Sequence, residues 1–284
     1  MIAIVEPVSP PSCHPAPPKP LSRVEALTKT VSATRLGLWQ QCRLKFYFKR
    51  VLGIEKPSTP ARHVGKVVHA VLQAWSKARW RKEPFVLEQF KSFFETTWAR
   101  QQQEEPVRWK DQEAPERTGA WSLLEMYFTQ TPIPPDEKPE AVEVPVEADL
   151  SAHGLPTLVG ILDLVRAGGR IVDFKTAAQK PSAQNAIHLH QIQTTAYAVL
   201  YREATGHAES GIELHHLIKT KVPKLVVTPV GPMTDQQQSR LFRCIESYVE
   251  GVTRQDFVPS PGFHCAACDC FHECGRWSGK EIYA

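Results

Sequence analysis

The sequence predicts an α/β domain with a mixed central sheet flanked by helices. Two observations point there. Apolar residues follow a helical period through the first half of the chain, then alternate with a period of two from Val142, and the later elements run strand, strand, helix, strand, strand, helix. With 284 residues and 42% hydrophobic content, the chain can bury one substantial core, or a core with one appended subdomain.

Seven of the 24 prolines lie in the first 22 residues. That density excludes helix and interior strand, so residues 1–31 are expected to form an extended or disordered tail, and 32–284 the folded domain. Cys13 and His14 lie in the tail as an incidental thiol and imidazole. A helix is expected over 32–50, with Ser32 or Thr34 as cap and Leu36, Trp39, Leu44, Phe46 and Phe48 as its apolar bulk. Further helices are expected near 62–80, 85–104 and 115–130, and strands from Val142 to Val146 and over 157–166 and 170–176. A helix near 186–204, strands over 211–219 and 224–230, a helix near 233–252 and a cysteine-rich end complete the chain. There is no internal repeat and no phosphate-binding loop of the Walker type, which excludes a nucleotide-driven motor within this sequence.

The formal net charge of +4 and the pI near 8.6 suit a polyanionic partner without requiring one. No apolar run approaches the roughly 20 residues that cross a bilayer, and Met1 to Val5 is too short for a signal-peptide core. A cytoplasmic protein with no membrane partner is the expectation. Four of the seven cysteines crowd between Cys265 and Cys274, a spacing that favours metal ligation in a reducing compartment over disulfides.

The most informative stretch runs from Gly160-Ile-Leu-Asp163 to Asp173-Phe-Lys175-Thr176, two strands joined through Ala167-Gly168-Gly169. Side chains two apart on a strand share a face, so Asp173 and Lys175 lie together. Matching the apolar residues pairs Leu164 with Val172 and Leu162 with Phe174, which sets Asp163 across from Asp173 and makes 167–169 a three-residue turn. A two-residue turn would put the aspartates on opposite faces. Opposed carboxylates repel unless a cation lies between them, and oxygen ligands with open positions suit magnesium or manganese. Such a site can activate water against a phosphodiester, with Lys175 orienting the nucleophile or neutralising charge.

These motifs resemble the paired metal-binding motifs of the RecB-like branch of PD-(D/E)XK nucleases. Gly65-Lys-Val-Val-His69 is similar to that family's upstream glycine-x-x-x-histidine motif, and Gln193-Thr-Thr-Ala-Tyr197 to its glutamine-x-x-x-tyrosine motif. The resemblance covers roughly residues 32–276, in the family's order. It implies a restriction-endonuclease-like fold, with His69, Asp163 and Asp173 as metal ligands, Lys175 as catalytic partner, and Gln193 and Tyr197 lining the site and touching the nucleic-acid backbone. Glu147, late in the preceding strand, is a candidate further carboxylate.

At the C-terminus, Cys265-x2-Cys268-x5-Cys274 has Cys270 as an extra thiol. Zinc is one reading, with Cys270, His264 or His272 as a fourth ligand. The other follows from resemblance to AddB-type nucleases and CRISPR-associated exonucleases, in which one upstream cysteine joins three C-terminal ones around a 4Fe-4S cluster. Cys42, more than 220 positions earlier, fills that place, and the cluster would staple the chain ends across the core. Cys244, between Phe242 and Ile245 on a helix, is expected to be buried packing. Around Cys42, the basic residues Arg43, Lys45, Lys49 and Arg50 could bind DNA, or form the solvated face of a helix whose aromatics enter the core.

The resemblance implies a metal-dependent deoxyribonuclease of exonuclease type. Single strands or unwound ends are the expected substrate, in repair, recombination or defence, with any helicase supplied by another chain. The competing reading is a catalytically inactive nucleic-acid-binding protein that keeps the fold and a structural metal cluster.

Overall fold

The computed structural model describes residues 20–279. The tail's Cys13 and His14 lie outside them. Regular structure begins earlier than the expected boundary at Ser32, with helix α1 (Pro20–Lys29) and the short strand β1 (Thr30–Val31). Proline is tolerated at the first position of a helix, where its missing N–H has no intrahelical partner to lose. Leu27 and Val31 are buried, and the Tyr248 hydroxyl donates to the Leu27 carbonyl at 2.9 Å.

The helix expected over 32–50 is broken. Helix α2 spans Ala33–Gln41, α3 spans Arg43–Phe46, and a π-helical turn covers Tyr47–Val51. Ser32 caps α2 by accepting the Arg35 N–H at 3.3 Å. Cys42 stands between the helices in extended conformation, φ −166° and ψ 113°, and its Sγ accepts the Lys45 N–H at 3.5 Å. The thiol acts as an N-cap for α3 and restarts the helix there.

The next elements match the expected ones to within about three residues: α4 (Pro60–Trp80), α5 (Leu87–Glu104), α6 (Glu113–Gln130), β2 (Ala141–Ala148), β3 (Thr157–Arg166), β4 (Arg170–Ala177), α7 (Ala183–Thr205), β5 (Ile212–Ile218), β6 (Lys224–Val230) and α8 (Asp235–Thr253). The cysteine-rich end adds a helix not expected from the sequence, α9 (Phe271–Trp277). Caps define the helices nearest the site. Thr59 accepts the Arg62 N–H ahead of Pro60 in α4, and Ser182 accepts the Asn185 N–H at the start of α7. Among the described residues no helix is long and apolar enough to cross a membrane.

The sheet is mixed, in the order β1-β3-β4-β5-β6, with β2 on the other edge of β3. Strand β2 runs antiparallel along β3, while β4 and β5 pair in parallel. On its other edge, β3 pairs with β1 at Thr157 and Leu158 and with β4 from Leu164 to Arg166. Residues 159–163 on that edge have no strand partner, so the sheet forks there.

Two apolar cores cover the sheet. One gathers Leu36, Trp39 and Phe46 with the α7 and α8 residues Leu200, Ile245 and Tyr248. The other packs Val67, Val68 and Leu72 of α4, with Phe94, Trp98 and Tyr127, against Leu164, Val172 and Phe174. Leu162 and Leu164, expected on one apolar face, are both buried but divide between these cores. The strand parts from β4 between them, which separates their surroundings.

Candidate active site

Next to the turn the hairpin adopts the predicted register, but the expected Leu162–Phe174 and Asp163–Asp173 pairs do not form. Leu164 pairs with Val172, Val165 with Ile171, and Arg166 with Arg170, leaving 167–169 as a three-residue turn. Gly168 and Gly169 both hold positive φ, +78° and +70°, and the Gly169 N–H donates to the Arg166 carbonyl at 3.2 Å. One more step would pair Asp163 with Asp173. Instead the ladder stops at Leu164, and Asp163 Oδ2 accepts the Phe174 N–H at 3.0 Å. A side-chain carboxylate thus takes the place of a backbone carbonyl, and the fork opens at Asp163.

Helix α4 buries Val64, Val67, Val68, Val71, Leu72 and Trp75, which turns Gly65 and His69 toward the fork. His69 Nδ1 comes within 3.5 Å of Asp163 Oδ2. From the other side, α7 presents Gln193 and Tyr197, four apart on one face. The Gly160 position is tight, since a Cβ there would lie 2.6 Å from Leu200 Cδ1. Glycine therefore suits the close approach of α7 to β3.

Lys175 Nζ donates to Asp173 Oδ1 and to Gln193 Oε1, each at 2.9 Å, and lies 2.8 Å from Asp173 Oδ2. Gln193 Nε2 donates to the Tyr197 hydroxyl at 2.8 Å and, more weakly, to Asp173 Oδ1 at 3.4 Å. Although Nζ lies near it, Asp173 Oδ2 is buried without a donor in hydrogen-bonding geometry. All six residues singled out in the sequence, His69, Asp163, Asp173, Lys175, Gln193 and Tyr197, are therefore linked around one fork.

The electrostatics follow from that packing. Burial opposes the His69 imidazolium, but the hydrogen bond and charge of Asp163 outweigh it and hold His69 above its ordinary pKa. Burial also favours a protonated Asp163, yet His69 and the Phe174 N–H outweigh it and hold that carboxyl low. Asp173 goes the other way. Burial raises it, and repulsion from Asp163 adds to the effect against the pull of Lys175. Burial and the neighbouring carboxylates keep the Tyr197 phenol protonated.

Sequence reasoning missed three groups here. His216 pairs in register with Lys175, and its ring lies 5.9 Å from that of His190 on α7. Burial lowers both imidazoles, with Lys175 adding to the effect, and His190 falls to about 4. The third is Glu143 on β2, an exposed residue whose carboxyl is raised by partial desolvation and by Asp163 against the attraction of Lys77 and His69. Extending the hairpin register one strand further, to β2, would have found it.

Two cavities, of about 490 and 650 Å³, meet at Thr34, Glu143, Ile161 and Asp163. The larger contains His69, Arg62 and Lys66, and the smaller contains Gln193 and Tyr197. Glu147 lines only the smaller.

The cysteines of the two chain ends come together. Cys42 and Cys270 are buried with Leu44 and Phe48, and Cys268 and Cys274 pack against them, while Cys265 stays outside this cluster. Burial, with repulsion from Asp269, pushes the Cys270 thiol up to about 11. Ion pairs clamp the same ends, with Lys45 and Lys49 on Asp269 and Lys56 on Glu273. Together with the Arg43–Asp256 pair, these contacts give the basic helix a structural use. Cys244, expected to be buried, is partly exposed beside Arg240 and Arg243.

A family model described as the PD-(D/E)XK nuclease superfamily matches residues 30–275. The chain belongs to the PD-(D/E)XK nuclease superfamily. Its mixed sheet flanked by helices is consistent with the restriction-endonuclease-like fold expected of this superfamily. A candidate exonuclease from Eubacterium rectale, known from a crystal structure, is 14% identical with a TM-score of 0.56, covering 96% of each chain. At that identity the likeness shows the fold alone. The protein SSO0001 is more remote, 10% identical with a TM-score of 0.43 over 89% of this chain and 91% of that one, and carries no argument. A comparison with curated proteins finds no match.

Members of this superfamily generally use divalent metals. Two carboxylates, an imidazole and the donorless Asp173 Oδ2 suit a hard divalent cation. As they stand, no three His, Cys, Asp or Glu side chains among the described residues are gathered to hold a metal. The Lys175 ammonium rests on Asp173 instead.

Proposed function

We propose that this nuclease-superfamily member is a magnesium- or manganese-dependent deoxyribonuclease of the RecB-like branch, acting as an exonuclease on single strands or unwound ends. The observation that carries the reading is the linkage of Asp163, Asp173, Lys175, His69, Gln193 and Tyr197 around the fork. Asp163, Asp173 and His69 would hold the cation, which when bound supplies Lewis-acid activation of a phosphodiester oxygen and of water.

The chain's own groups do the rest. Lys175, oriented by Asp173 and the Gln193 carbonyl oxygen, presents an ammonium to developing negative charge. Gln193 and Tyr197 form a polar wall against which a strand can be positioned. Arg62 and Lys66, both paired with Glu105, are cations that backbone phosphates could take over. Work in repair, recombination or defence, with a helicase supplied in trans, fits this activity.

For the chain ends the reading is a structural 4Fe-4S cluster on Cys42, Cys265, Cys268 and Cys274, of the type in AddB nucleases and CRISPR-associated exonucleases. Cys42, Cys268 and Cys274 share one apolar cluster, but Cys270 rather than Cys265 packs with them, and no three of the described thiols are gathered to hold a metal as they stand. Zinc is the alternative. Absorbance near 400 nm in anaerobically purified protein, lost in Cys42→Ser, supports iron and sulfur; a colourless protein carrying zinc overturns it.

The decisive assay uses single- and double-stranded DNA with free and blocked ends, with and without Mg²⁺ or Mn²⁺. Metal-dependent cleavage abolished by Asp173→Asn is expected. Cleavage that survives that substitution, or tight DNA binding with no cleavage, refutes the reading.

A further inference from the structure

Glu143 is singled out by its backbone. Strand β2 keeps register with β3 from Ala141↔Val165 to Ala148↔Leu158, and Glu143 is the one residue between those ends that forms no pair. Val142↔Leu164 and Val144↔Leu162 on either side set it across from Asp163. Its φ is +48°, in the left-handed region where a Cβ crowds the following carbonyl. Glycine would relieve that crowding, yet a glutamate stands there. Strained backbone of this kind persists where the surroundings over-determine it, and it clusters at functional sites.

Position gives the strain a use. Glu143 lines both cavities that meet at Asp163, one of them shared with His69 and the other with Gln193 and Tyr197. Beyond Asp163, the buried Asp173 has the Lys175 ammonium 2.8 Å from Oδ2, outside hydrogen-bonding geometry, so a second cation there would have to share or displace it. A regular β2 residue would pair its backbone with Asp163. The irregular one leaves that stretch of β3 free of a cross-strand pair on either edge.

We propose that Glu143 is a further carboxylate of the divalent-cation site, acting with Asp163 on the bound ion or its water shell; this rests on the nuclease reading above. The strained backbone holds the carboxylate at the fork.

Mn²⁺ titration of the full chain, followed by electron paramagnetic resonance, tests this alongside thermal unfolding without metal. Wild type, Glu143→Gln, Glu143→Gly and Asp173→Asn are compared. Glu143→Gln is expected to weaken Mn²⁺ binding by about 10- to 100-fold, the range for losing a supporting group at a metal site. Glu143→Gly should weaken it similarly while raising Tm, because the left-handed strain is gone. Mn²⁺ binding that is lost in Asp173→Asn but unchanged in Glu143→Gln overturns this inference alone. Absence of Mn²⁺ binding in the wild type, or its survival in Asp173→Asn, overturns the site reading and this inference together.

Discussion

Replacing Lys175 by methionine removes the cation that rests on Asp173 while keeping most of the side chain's bulk. In the wild type, Nζ lies 2.9 Å from Oδ1 and 2.8 Å from Oδ2 of an aspartate that is only 1% exposed. After substitution the remaining side-chain donor is Gln193 Nε2, at 3.4 Å. Breaking a buried pair from one side costs about 3–5 kcal/mol, because the other charge stays buried and uncompensated. Asp173 can escape that cost by taking up a proton. Burial already raises its pKa, and the substitution raises it further. The destabilisation should therefore be full at pH 8 without metal and shrink as pH falls through the raised pKa. Urea unfolding reads it directly: with m of about 3 kcal/mol/M, a loss of ~3 kcal/mol lowers the midpoint by about 1 M at pH 8. The shift should be much smaller at pH 5. An equal shift at both pH values would refute the claim that Lys175 neutralises a buried carboxylate.

Other consequences are equally open to measurement. Gly169→Ala puts a Cβ at φ +70° and against the Tyr201 hydroxyl, whereas Gly168→Ala at φ +78° meets open space; the first should cost about 1–2 kcal/mol from the backbone alone plus the clash, the second only the backbone share. Equal losses of Tm would count against the close approach of Tyr201. Tyr127→Phe removes a buried hydroxyl that lies 2.9 Å from His215 Nδ1 and should cost about 1–3 kcal/mol in urea unfolding; a loss below 0.5 kcal/mol, taken as roughly the scatter of surface substitutions, would remove that bond from the account. His63, His190, His215 and His216 are all held below their ordinary pKa, with burial the largest cause in each. The unfolded chain therefore binds more protons as pH falls below about 6.5, so stability is full above that value and lost on the way down. Urea midpoints should fall between pH 6.5 and 4, less steeply in His190→Gln, and a flat profile would contradict the assignment.

How far the sequence could be read depends on which groups satisfy the backbone. The β3–β4 register beside the turn was legible because Leu164 and Val172 match on one face, and a slip of one residue would set each across from a residue of the opposite face. The motif on α4 was legible because its valines mark the buried face and leave His69 on the other. Where a side chain replaced a backbone group, the pattern carried no signal. Asp163 ends the β3–β4 ladder and Cys42 caps α3, and both positions fit uninterrupted elements by period alone. Proline density hid α1, because Pro20 stands at the one end of a helix that accepts it. Glu143 fits the alternation of Val142, Val144 and Val146, so the alternation alone gave no sign of it; its place across from Asp163 and its backbone angle mark it out.

The fork at Asp163 behaves like a zipper stopped one tooth short. The strands beyond it stay parted because a carboxylate holds the amide that the next tooth would have used. A substitution at this position thus does more than delete a charge. Valine in place of Asp163 would free the Phe174 amide to seek a backbone partner on β3, and β-branched residues favour extended pairing. The two strands could then close over the place where the two cavities meet. Under the proposed function, loss of activity at this residue would have two separable origins, a missing charge in Asp163→Asn and a closed fork in Asp163→Val, which hydrogen exchange at Phe174 would tell apart.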